Sequence, residues 1–343
     1  TVQSFPTELA EGSLRRFVGD IHPRGALTMQ SKATWRDDGA MQLSLMQLTT
    51  PALSVAAPKL LGTDQPTIGI LACAAEIQLA GGQVTIQNLQ TQSNIVTIAG
   101  KGAAATGGIA GSNVEITGQI NLAELARQLP ATIHLKQDTQ VASGIVDLAL
   151  ISREDAGTRR FQGSLKTRDL RGIAAGRAIE FDQPLAIDFD VQQTAAGPVI
   201  ERLTGNASFL SLEGRGSVEQ GSIQATADLA RLADDLGRLL DLSQTRLAGN
   251  LAAEMKWDHQ QATGWNAMAR ARVQDFEVSG TGKAAWKEPN LLTEAKLTGD
   301  LENGTLAQVK QGTLLVEAGA DKLEVNLTQP VKSPSAASNW PVE

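Results

Sequence analysis

The chain has 343 residues, of which 42% are hydrophobic and only 3% aromatic, with no tyrosine and a formal net charge of −7 from 30 basic and 37 acidic residues. Its basic residues form no cluster interleaved with aromatics, which excludes a nucleic-acid footprint and a polybasic membrane-surface patch. The single cysteine, Cys73, excludes an internal disulfide, and its place in the apolar run 68–79 reads as a buried, inert thiol.

No apolar run approaches the roughly 20 residues of a membrane span, and no charged-then-apolar leader opens the chain. The first residues read as mid-protein sequence, so we expect a piece of something longer, with any anchor outside it. Downstream the dominant signal is a period of two. Leu43 and Leu45 alternate with polar neighbours, as do Val146, Leu148 and Leu150. Leu185, Ile187, Phe189 and Val191 face away from Ala186, Asp188, Asp190 and Gln192. Leu251, Ala253, Met255 and Trp257 oppose Ala252, Glu254 and Lys256, and Leu323, Val325 and Leu327 oppose Lys322, Glu324 and Asn326. Such alternation marks antiparallel strands with one apolar and one wet face. Turn signals fall between the runs at Asp37-Asp38-Gly39, Gly81-Gly82, Asp155-Ala156-Gly157 and Glu302-Asn303-Gly304.

Two segments break the alternation. Leu122, Leu125, Ala126 and Leu129 fall at helical spacing, stopped by Pro130, and predict a helix over 122–129. Leu229, Leu232, Ala233, Leu236 and Leu240 repeat the stripe and predict a helix over 228–240, with Asp228 as N-cap. A short equivalent is expected from Leu9 to Phe17, weakened by Gly12. Residues 331–343 read as a linker or frayed end.

These elements recur. Leu9, Leu122 and Leu229 are 113 and 107 residues apart, and each is followed some sixty residues later by Pro66, Pro184 or Pro289 after a charged residue. Thr139 and Thr245, Val141 and Leu247, and Gly176 and Gly282 keep the register between the second and third copies. We therefore expect three units, 7–117, 118–224 and 225–330, each one supersecondary unit stacked on its neighbours. The helices sit where one copy hands over to the next.

No constellation carries catalysis. His22, His134 and His259 lack partners at ligand spacing, so no metal site is expected, and no cofactor. There is no G-x-S-x-G elbow, and Gly100-Lys101-Gly102 and Gly280-Thr281-Gly282-Lys283 do not fit a phosphate-binding loop. A sheet with a long aliphatic face must bury it, by closing on itself or by curling into a trough that something else fills. Acyl chains suit such a lining, because they need continuous aliphatic surface and no directed groups. The expected lining is Leu148, Leu150, Ile187, Phe189, Val191, Leu251, Met255, Trp257, Leu323, Val325 and Leu327.

The segments Leu122-Ala-Glu-Leu-Ala-Arg-Gln-Leu129 and Asp228-Leu-Ala-Arg-Leu-Ala-Asp-Asp-Leu236, followed by runs like Leu247-Ala-Gly-Asn-Leu251, resemble the AsmA-like proteins, including the TamB and YhdP groups. The resemblance covers most of the chain through a degenerate pattern, an Asp/Asn-Leu-Ala-x-Leu helix start and then a Leu-x-Gly-x-Leu strand. It implies a mainly β fold, an elongated, twisted antiparallel sheet curled into a hydrophobic groove. It also implies a periplasmic protein, anchored in the inner membrane, that carries phospholipid acyl chains towards the outer membrane and an outer-membrane protein partner there. The chain departs from the family in lacking the N-terminal anchor and any recognisable C-terminal family domain. Two other readings compete: a structural or adhesive β-repeat scaffold of the envelope with a filled core, and an enzyme on a β-solenoid, which would need carboxylates or aromatics gathered on one face.

Overall fold

A computed structural model describes residues 1–12, 20–37, 39–69, 71–105, 113–155, 158–181, 183–242, 245–260, 264–280, 283–302, 305–332, 334 and 340–343. Strand makes up 74% of the chain and helix 8%. The chain is mainly β, and the described strand pairs are antiparallel. The turn signals at Asp38, Ala156-Gly157 and Asn303-Gly304, residues 13–17 of the expected Leu9–Phe17 stripe, and Asp182 and Thr281-Gly282 lie outside the described residues.

The elements run β1 (Val2–Pro6), a 3-10 turn (Thr7–Ala10), β2 (His22–Trp35), β3 (Met41–Thr50), β4 (Leu53–Ala56), α1 (Pro58–Leu61), β5 (Thr67–Ile68), β6 (Leu71–Ala80), β7 (Gln83–Ser93), β8 (Val96–Ala105), β9 (Asn113–Asn121) and α2 (Leu122–Gln128). Then come β10 (Thr139–Asp155), β11 (Thr158–Ala174), β12 (Arg177–Glu180), β13 (Ala186–Thr194), β14 (Gly197–Ala207), β15 (Leu210–Ser217), β16 (Gln220–Asp228) and α3 (Leu229–Gly237). The chain continues through β17 (Arg246–Gln260), β18 (Gly264–Gly280), β19 (Lys283–Glu302), β20 (Thr305–Ala318), β21 (Asp321–Asn326) and β22 (Val331–Lys332).

Contacts divide these elements between two units, one of residues 1–154, 162–184 and 238–241, the other of 155–161, 185–237 and 242–343. In the first, β1, β2, β3, β6, β7, β8, β9 and β10 pair in that spatial order, with β4 and β5 as a side excursion on the start of β2. In the second, β13 to β21 form a meander in which each strand pairs with the next.

Both expected helices form and end slightly early, α2 at Gln128 and α3 at Gly237. Their starts are set by side-chain caps. Asn121 Oδ1 accepts from the Glu124 amide at 3.1 Å and Asp228 Oδ1 from the Arg231 amide at 2.9 Å. Leu125 and Leu232 are half-buried, whereas Leu236 of the second stripe is 41% exposed. At the chain start a 3-10 turn leads into helical Glu11 and Gly12, Leu9 is 70% exposed, and the rest of that stripe lies outside the described residues.

The first charged-residue-and-proline segment holds a helical connection down. Asp64 accepts from the Thr132 amide at 2.6 Å, the Thr132 hydroxyl at 2.7 Å and the Ala131 amide at 3.3 Å, clamping the turn beyond α2. Gln128 bonds both the amide and the carbonyl of Thr67. Glu124, between them, accepts from Asn94, Arg127 and Gln128. Near the second such segment, Arg238 donates to the Glu180 carbonyl at 3.0 Å and lies over the Phe181 ring. The third lies inside β19.

The expected linker at 331–343 is corrected where the structure describes it. Val331 and Lys332 pair with Val309 and Gln308, Val331 is 7% exposed, and Glu343 exchanges both backbone hydrogen bonds with Asn326. The physical reason is that Val331 fills space beside the buried Val309, which composition alone does not reveal.

Two outcomes follow from this wiring. Asn121→Ala and Asp228→Ala should each cost about 1 kcal/mol in chemical denaturation, since each orphans a first-turn amide. The hydrogen bonds from Arg127, then Gln128 and Asn94, hold Glu124 down to about 2 against the desolvation that opposes them. A depressed carboxylate contributes stability above its unfolded value and loses it as pH falls through the folded one. Acid titration by circular dichroism should therefore show a limb between about pH 4.5 and 2 that Glu124→Gln flattens.

Candidate functional site

Residues directly opposite in an antiparallel pair share a face, so the register maps which side chains lie together. In the second unit, Ile187 lies opposite Gly205, then Leu212, Ala225, Ala253, Ala271, Thr293, Val316 and Leu323. Phe189 opens the next row, through Leu203, Gly214, Ile223, Met255, Ala269, Ala295 and Leu314 to Val325. Val191 opens a third, through Ile200, Gly216, Gly221, Trp257, Ala267 and Leu297 to Gly312. Leu327 joins that row, its amide bonded to the Gly312 carbonyl at 2.8 Å. Leu251 belongs to a fourth, with Leu210, Ala227, Val273, Leu291 and Ala318.

The structure thus brings all nine expected lining residues of this unit onto one face of the meander. Leu148 and Leu150 belong to the first unit, opposite Gly118 and Ile116, in rows that continue through Ile98 and Gly100 to Thr91 and Leu89. Cys73 sits in the first of these rows, its sulfur 3.3 Å from the Thr91 hydroxyl that donates to it. Expectation had nominated one strand in several. The alternation argument, carried through every strand, also reaches Leu203, Ile223, Leu314 and Ile116.

The reverse side of the second unit is polar. Glu254 pairs with Lys256, Glu294 with Lys296 and Glu324 with Lys322, each two residues apart on one strand. A hydrogen bond from the lysine is the first cause that holds Glu254, Glu294 and Glu324 below the usual carboxylate range. Asp190 is the exception to exposure there, buried and gripped by the Arg160 guanidinium.

Little covers the aliphatic rows. Leu323 is 59% exposed, Leu150 40%, and Met255 and Leu148 36% each. The chain exposes 20971 Å², against about 13,000 Å² for a compact body of this mass and about 16,000 Å² for two separate compact halves.

Tryptophan closes one end of the second unit's rows. Trp257 lies over Gly221 and donates its indole N–H to the Ser217 carbonyl at 2.6 Å. Trp265, opposite His259 and 9% exposed, donates to the Val218 carbonyl at 3.2 Å. The two ring nitrogens of His22 face Glu11 and Asp20. Among the described residues no group of three His, Cys, Asp or Glu side chains is placed to hold a metal, and no helix is long and apolar enough to cross a membrane. Compared with protein-family models, curated proteins and solved structures, the chain matches none.

A methyl group at Gly221 would collide with the Trp257 ring. Gly221→Ala should therefore destabilise the second unit by about 1–3 kcal/mol and shift the indole emission. An unchanged spectrum would mean that the ring does not rest on this strand.

Proposed function

We propose that the chain is a segment of a bridge-like lipid-transfer protein of the AsmA-like kind, in which the aliphatic faces form a groove for phospholipid acyl chains. The observation that carries this reading is the pairing of a continuous aliphatic register with exposure. Most positions in these rows are Leu, Ile, Val, Ala or Gly, yet Leu323, Met255, Leu148 and Leu150 remain substantially open. Aliphatic surface of this extent calls for an occupant, since each Å² removed from water is worth about 25 cal/mol. An acyl chain fits because it asks for no directed partner, and a headgroup left in water requires no buried charge. Periplasmic location, an inner-membrane anchor outside these residues and an outer-membrane protein partner follow from the resemblance.

The three-unit division belongs to the same proposal, and backbone geometry supports it independently of the motifs. Gly25, Gly144 and Gly249 lie in β2, β10 and β17, the first long strand after each helical segment, with φ of 148°, 148° and 127°. The Cβ of any other residue at Gly25 would stand 2.5 Å from the Ala52 carbonyl oxygen, and at Gly249 2.8 Å from Val273. In the strands that follow the second and third of these, Asp169 and Asp275 share a φ of 52°. They are 106 residues apart, the spacing of Thr139 from Thr245. Copies one and two also share an element order, a helical segment, two long strands, a short excursion and four strands.

Lipid should accompany the chain purified without detergent and be recovered by organic extraction and mass spectrometry. Ile187→Asp or Val325→Asp should lower the recovered lipid, because a desolvated carboxylate costs several kcal/mol or wets its surroundings. Asp188→Ser and Glu324→Ser, on the reverse face, should leave it unchanged. A folded chain that never carries lipid would point instead to an envelope scaffold.

A further inference from the structure

We propose that lipid lies along the strands of the second unit, its headgroup at the Trp257 and Trp265 rim and its chains running towards the Leu251 rim. This rests on the lipid-transfer reading and adds a direction to it. Across β15, β16 and β20, which begin or end near the Leu251 row, the two rims of the face differ in chemistry, whereas β17, β18 and β19 run on past that row to Leu247, Val278 and Trp286. The row through Leu210, Leu251, Val273 and Leu291 is wholly aliphatic. The opposite rim holds two indoles, and each turns its N–H to a carbonyl at the end of β15 or in the turn after it, while its ring stays with the apolar rows. A ring that is apolar in body and satisfied at its polar tip is suited to the boundary between hydrocarbon and headgroup. Beyond it come His259, opposite Trp265, and the exposed Glu219 and Gln220 of the same turn. They give a headgroup a wet, hydrogen-bonding margin.

Dimensions agree. Leu251 and Trp257 are six residues apart on β17, or about 20 Å at the rise of an extended strand. One leaflet of bilayer hydrocarbon is about 15 Å thick. A chain laid along the strand from the indole rim therefore ends among aliphatic side chains. Reversed, the lipid would set a charged headgroup on Leu210, Val273 and Leu291 and leave the satisfied indoles against chain methyls. In the first unit, considered on its own, Trp35 likewise ends β2, opposite Met41 in a row that continues to Leu79 and Val84.

The absence of tyrosine makes tryptophan emission a clean reporter. With Trp35→Phe, Trp286→Phe and Trp340→Phe in the full chain, Trp257 and Trp265 remain as fluorophores. The protein is loaded with phosphatidylcholine brominated either high on one acyl chain, beside the headgroup, or near its methyl end. At equal loading, measured by extraction, the high-brominated lipid should cause the greater loss of emission. A chain whose sole tryptophan comes from Leu251→Trp, its other five being phenylalanine, should show the opposite order. Equal or reversed quenching at confirmed loading overturns the orientation and leaves lipid binding standing. No quenching together with no extractable lipid overturns the transfer reading, and the orientation with it.

Discussion

Register is the constraint on which the structure depends. A period-two strand moved by one residue presents its whole apolar set to the other side, so nine consecutive strands share an aliphatic face only if every pairing holds its phase. The second unit holds it from Ile187 to Leu323 through eight successive pairings, despite slips within the ladders. Where β17 meets β18, the irregularity between Ala248 and Asn250 coincides with Gly249, whose φ of 127° only glycine adopts without strain. Glycine therefore places the irregularity where the ladder can absorb it, and Leu251 onwards returns to phase.

The same constraint explains how the units stand with so few deeply buried side chains. Val309 and Thr50 are the largest described residues with almost no exposure. Stability must come mainly from ladder hydrogen bonds and from neighbours along each row, since cross-strand pairs are worth roughly 0.2–1 kcal/mol each and there are many of them. Glycine helps here too. Gly214 lies under Ile223 and Leu203, and Gly312 under Leu297 and Leu327, so bulky residues from adjacent strands meet over a missing side chain. On the proposed reading, a face built this way suits a mobile aliphatic occupant better than a shaped small molecule.

Much of this was legible in sequence because it is local. Alternation over Ile187 to Val191 or Leu251 to Trp257 depends on a few neighbours, and the caps Asn121 and Asp228 sit beside the stripes they begin. What stayed hidden is long-range. Nothing near Asp64 announces that it closes on Thr132, nor does Val331 announce that it packs beside Val309. The tryptophans were legible as apolar members of strands, but not as donors to the Ser217 and Val218 carbonyls, because those acceptors lie some forty residues away and are backbone.

The charged face has a role that its energy does not measure. Lys256 with Glu254, Lys296 with Glu294 and Lys322 with Glu324 are exposed pairs, and such pairs contribute between nothing and about 1 kcal/mol each. Their location matters more than their strength. All six groups project from the side opposite the aliphatic rows, where they keep water on that face and make a second sheet stacking there unfavourable. The meander is thereby left with one surface able to take an apolar occupant. Exchanging one of these lysines for an aliphatic residue would change stability little, but it would weaken the distinction between the faces.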